Sequence, residues 1–106
     1  MPKYLVQASY TTEGVRGILK NGGSARRAAV AEAVESVDGK LEAMYFAFSE
    51  DDALVILDLP DNASAAAVSL VVNGSGAAHT KTTVLLTPEE IDQATRKTIR
   101  YRPPGQ

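Results

Sequence analysis

Apolar and polar positions alternate along residues 3–10, KYLVQASY. Tyr4, Val6, Ala8 and Tyr10 share one face and Lys3, Leu5, Gln7 and Ser9 the other, which is the period-2 signature of a strand. The period then changes. Thr11 or Thr12 offers an N-cap oxygen, and Val15, Ile18 and Leu19 recur at helical spacing until Asn21-Gly22-Gly23 ends the segment. Ser24 is expected to cap a second helix with Ala29, Ala33, Val34 and Val37 on its buried side, stopped by Asp38-Gly39. Residues 40–48, KLEAMYFAF, and 53–59, ALVILDL, read as two strands joined by the polar turn Ser49-Glu50-Asp51-Asp52, a hairpin. Asn62 is expected to cap an alanine-rich helix running to about Asn73, with Gly74 and Gly76 as terminators. Residues 78–86, AHTKTTVLL, form a fourth strand. Thr87-Pro88-Glu89-Glu90 then combines an N-cap Thr, a Pro at the first helical position and a Glu three residues after the cap, a strong start for a last helix. Arg96 and Lys97 near its end suit the helix dipole, and Arg102-Pro103-Pro104-Gly105 reads as an extended tail.

The resulting order, β, α(α), β, β, α, β, α, predicts an α+β fold of the ferredoxin-like βαββαβ plan: a four-stranded antiparallel sheet with helices on one face, plus a C-terminal helix. There is neither an internal repeat nor a linker, so residues 1–106 are expected to form one domain. Helices on one face leave the other bare. The hairpin carries Met44, Phe46 and Phe48 on one side and Leu41, Ala43 and Tyr45 on the other, and both sides of 53–57 are apolar. Periodicity does not say which side the helices take; Met44, Phe46 and Phe48 mark a candidate spare face. A bare apolar face of several hundred Å² is expected to be covered, by a second copy of the chain in preference to its own terminal helix folding back.

Composition changes this picture mainly by exclusion. With 44% hydrophobic and 23% charged residues the chain is an ordinary globular sequence. A net charge of −2 and a pI near 5.3 give no electrostatic drive toward nucleic acid or an anionic membrane. The absence of cysteine removes thiolate metal sites, cysteine nucleophiles and disulfides, and a lone His79 rules out a multi-histidine metal site in one chain. Neither a signal peptide nor a bilayer-spanning run is read, so the expected location is cytoplasmic.

Three stretches, MPKYLVQASYTTEGVRGILKNGGSARRAAV, GKLEAMYFAFSEDDALVILDLPDN and KTTVLLTPEEID, resemble the GYD-domain family over nearly the whole chain. The run NGGSARR, the strand pair ending in DLPDN, and LLTPEE carry the likeness. The family's naming triplet, Gly-Tyr-Asp, lies in the central hairpin. Here Asp52 matches the family Asp, Asp51 stands where Tyr is usual, and Ser49 lies near the Gly. The resemblance implies a ferredoxin-like, dimeric α/β-barrel type of fold and implies little about activity.

The most site-like segment is Asn21-Gly22-Gly23-Ser24-Ala25-Arg26-Arg27. Two glycines allow a tight turn, the helix that follows presents free N–H groups, and Ser24, Arg26 and Arg27 add donors for a carboxylate or phosphate. The alternative is a plain helix joint with both arginines in water. The spacing is not that of a P-loop. On the fourth strand His79 and Lys81 point the same way, and with Tyr45 or Tyr10 they would make an acid–base group in a cleft. Lys81 also serves as a candidate anion contact. Glu50, Asp51 and Asp52 read as a solvated turn in preference to a cation site. No metal or cofactor is expected. Three readings of function follow: a small homo-oligomeric protein binding a small anionic or organic ligand; a cofactor-independent enzyme (isomerase, monooxygenase or decarboxylase type) on a small organic acid; or a regulatory module binding another protein. The enzyme reading rests on fold analogy alone.

Overall fold

The structure, a computed structural model, describes residues 1–106. Its elements are β1 (Lys3–Tyr10), α1 (Thr12–Asn21), α2 (Gly23–Glu35), β2 (Lys40–Phe46), β3 (Ala53–Asp58), α3 (Asn62–Gly74), β4 (Ala78–Leu85) and α4 (Pro88–Thr95). One sheet runs in the order β2-β3-β1-β4 with every neighbouring pair antiparallel, so β2 and β4 are its edges. α2 lies against β2 and α3 against β4, both on the same side. This is the ferredoxin-like plan.

Tyr4 and Ala8 of β1 and Ala53, Val55 and Leu57 of β3 point toward the helices, where they meet Val34 of α2 and Ala65 of α3. Leu59 closes the end of this core, and the Tyr4 hydroxyl donates to Asn62 Oδ1 at 2.6 Å. Each fully buried aliphatic side chain contributes roughly 1.5–3 kcal/mol. Only nine of 106 residues are buried, however, so the core is one thin layer between sheet and helices and the far side of the sheet adds nothing to it. Gly14 lets α1 start tight against the sheet: a Cβ there would stand 2.1 Å from the Ala77 carbonyl oxygen, which also accepts from Thr11 N at 3.0 Å.

Three expectations change. Strict alternation through 40–48 breaks at Glu42, an extra residue between Leu41 (opposite Leu57) and Ala43 (opposite Ile56). This bulge puts Leu41, Met44 and Phe46 on the helix side together. Met44 packs against the core and Phe46 against Gly23, while Phe48 falls beyond the strand in the turn, fully exposed. The bare face is therefore the other one, with Leu5, Leu54 and Ile56 on its central strands and Ala43 and Tyr45 on edge strand β2. Second, the helix caps shift by one or two residues. Gly22, at φ 85°, precedes α2 with no side-chain cap bond, so Ser24 sits inside the first turn; Asp61 caps α3, so Asn62 is free to meet Tyr4. Third, of the α2 residues expected on the buried side only Val34 is buried; Val30 and Arg26, at four-residue steps from it, are half-buried, and Ala29 and Ala33 are exposed but line the cleft. Thr87 builds the expected capping box with Glu90, but α4 does not fold back over the sheet: every residue from Pro88 to Gln106 is exposed.

Candidate functional site

Arg26 occupies a position of α2 that Val30 and Val34 use for packing, so its side chain is carried under the helix and not into water. Its guanidinium lies 5.7 Å from the centre of the Tyr10 ring, a cation–π contact. Its Nε is inaccessible to solvent and has no hydrogen-bond partner, the sole buried side-chain nitrogen or oxygen in this condition. A buried donor without an acceptor costs about 1–3 kcal/mol.

Two cavities meet at this pair. The inner one, about 120 Å³, lies between the sheet and α2 and α3 and is lined mostly by aliphatic groups such as Val6, Val30, Val55, Val68 and Val72. The outer one, about 420 Å³, opens between α1, α2 and the start of β4, beside Gly22, Asn21 and Glu13. Tyr10, Arg26 and Ala29 border both. The inner wall has one polar edge. Asn73 donates through Nδ2 to Thr80 Oγ1 at 2.7 Å and accepts from Thr80 N at 2.9 Å, with Ser69 alongside. These bonds satisfy an edge strand's outward N–H. The arrangement suits a ligand with an anionic head at Arg26 and a small apolar body inside. Gly22 leaves the first N–H groups of α2 without a side-chain acceptor, which adds to the attraction for an anion.

The other predicted residues go elsewhere. Arg27, one step around the helix, is exposed and borders shallow hollows beside Met44 and Tyr45. Ser24 is exposed on the same side. His79, Lys81 and Tyr45 all stand on the bare face, outside the cleft. Tyr45 is on edge strand β2 and His79 on the opposite edge strand β4, with β3 and β1 between them, and Tyr10 points to the helix side opposite Ala78. The expected acid–base group is therefore not assembled within one chain. Lys81 pairs with Asp51 at 3.3 Å, and the same carboxylate accepts from Gln7 Nε2 at 3.0 Å and Ser9 Oγ at 3.2 Å. Asp52 accepts from Tyr10 N at 2.8 Å while its own N–H donates to Ala8 O at 2.8 Å. The acidic turn thus fastens the hairpin to β1, with its carboxylates on separate partners. Sequence reasoning placed Tyr10 in a cleft, but with His79 and Lys81 instead of Arg26; it missed Ser69 and Thr80 on the cleft wall and Asn73, which bonds Thr80.

No curated protein matches the chain closely enough to lend it an activity. The profile of the GYD domain family matches residues 4–95, which spans all four strands, the cleft helices and the capping box of α4, and the chain belongs to that family.

Proposed function

We propose that this protein is a homodimeric binding protein for a small organic anion, held in the cleft beneath α2 and α3. The observation that carries the reading is Arg26: a guanidinium on the inward side of a helix, with an unpartnered Nε, where an apolar cavity meets a polar one. The inner volume is close to that of cavities that accept one benzene-sized body. A carboxylate on such a body supplies the missing acceptor and exchanges a buried orphan donor for a charge-assisted bond. The bare sheet face, with Leu5, Ala43, Tyr45, Leu54 and Ile56 between two ends rich in charge, supports pairing of two copies sheet to sheet. Of the groups lining the inner cavity Tyr10 and Arg26 alone are titratable, with Glu13 on the outer one, which favours binding over proton-transfer catalysis at the apolar volume.

Calorimetric titration with benzoate, phenylacetate and isovalerate, each beside its neutral amide, tests the cleft. The acids are expected to bind saturably and the amides far more weakly. Arg26→Met is expected to weaken the acids by about tenfold or more, the worth of one hydrogen bond to a charged group. Equal binding of acid and amide, or an unchanged affinity in Arg26→Met, would overturn the assignment.

A further inference from the structure

The segment after β4 stands apart from the body. All residues from Pro88 onward are exposed, including Ile91, Ile99 and Tyr101, and Leu86 at its root is exposed as well. The molecule measures 57 × 32 × 23 Å with a radius of gyration of 16.9 Å, against roughly 13 Å for a compact chain of this length. Yet the arm is well specified. α4 has a full capping box, and a helix of eight residues is marginal in water without something to pack on.

Charge separates arm from body. Residues 96–102 hold Arg96, Lys97, Arg100 and Arg102 with no carboxylate, and none of these four has an ion-pair partner. Glu89, Glu90 and Asp92 are the only acids after residue 85, so of the chain's thirteen acids and eleven Lys and Arg, ten acids face seven cations in the body. The β2–β3 turn is the counterpart of the arm. Phe48 is fully exposed, Tyr45 is largely so, and Glu50 is in no ion pair. The two features lie at opposite ends of one sheet. β4 ends with Leu85 beside Lys3, and the turn is fastened to Ala8 and Tyr10, about 20 Å away along β1. The arm's root is therefore remote from the turn of its own chain, whereas two sheets packed face to face with strands running oppositely bring each arm's root to the end of the partner sheet that carries the turn, within reach of the arm's length.

We infer that the C-terminal arm is exchanged: Ile99 and Tyr101 of one copy lie against Phe48 and Tyr45 of a second, with Arg100 and Arg102 on its Glu50. This rests on the self-association proposed above and adds the relative direction of the two sheets. The chain has no cysteine, so Tyr101→Cys offers a single attachment point for a benzophenone. Isotopically light and heavy chains are mixed, irradiated and mapped, and the mass is read by light scattering. Adducts joining a light to a heavy chain at residues 45–52 are expected. A dimeric mass with adducts only inside one chain, or to another region of the partner, overturns the exchange and leaves the dimer standing; a monomeric mass overturns both. Arg100→Glu with Arg102→Glu is expected to raise the dimer dissociation constant at least tenfold at low salt, and adding Glu50→Arg to recover most of it. No recovery would also overturn the contact.

Discussion

Arg26 and Arg27 differ by one position and by everything else. A step of one residue turns about 100° around a helix, so Arg26 enters the cleft with Val30 and Val34 while Arg27 faces water. The doublet was legible as a cationic feature, but which arginine mattered depended on where the sheet lies. The same applies to the caps: Asp61 and Asn62 both suit a helix start, and the choice is made by Tyr4, whose hydroxyl claims Asn62. Asp61 accepts from Ser64 N at 2.8 Å, and this backbone bond holds its carboxyl below the ordinary value of 3.8. A depressed folded value means the stabilisation is present above the ordinary value and is lost as pH falls through the folded one. Melting curves from neutral pH into acid should therefore show the wild type losing ground relative to Asp61→Asn below about pH 4, since the amide keeps a cap without titrating. Parallel curves for the two proteins would show that the cap carries no such dependence.

At the level of elements, all four strands and the helices between them were legible because period and caps are written locally. What was not legible depends on pairing. Glu42 is an unremarkable residue in an alternating run, and only the register against β3 shows that two residues of β2 oppose one step there. That single insertion inverted the assignment of Met44 and Phe46, as a one-residue slip must. Its side chain then joins Lys3, which also meets Asp58 at 2.8 Å; these bonds raise the Lys3 pKa, though the group is too exposed for the pair to weigh much in stability. α4 is the reverse case, an element whose local signals were complete and whose packing is missing. Thr87→Ala removes a cap worth about 1 kcal/mol. In protein dilute enough to be monomeric, NMR is expected to show the helical shifts of 88–95 lost while the melt of the sheet moves by less than about 0.5 kcal/mol. A larger global loss would mean that α4 packs on its own body.

For the whole molecule, the central question is what covers the bare side of the sheet. Tyr45, Leu54, Gln7 and Lys81 form one row straight across it, from edge to edge, and Ala43, Ile56, Leu5 and Thr83 form the next. Leu54 is near the centre of this surface and already partly exposed, so a charge placed there is tolerated by a lone chain. In a sheet-to-sheet dimer the same charge would be buried without a partner, a cost of about 3–5 kcal/mol. Leu54→Asp should then raise the dissociation constant by a factor of about a hundred or more. Light scattering is expected to give twice 11.2 kDa for the wild type and a shift toward 11.2 kDa for the variant, with the melting of the monomer preserved. Leu19→Asp is the control: that leucine is more exposed still but lies on α1, away from the sheet, and its substitution should leave the mass alone. If the wild type runs at 11.2 kDa at every concentration, or if both aspartates act alike, the bare face is not where two copies meet. A positive result would also explain why nine buried residues suffice for this fold, since the second layer of its core would be supplied by the partner.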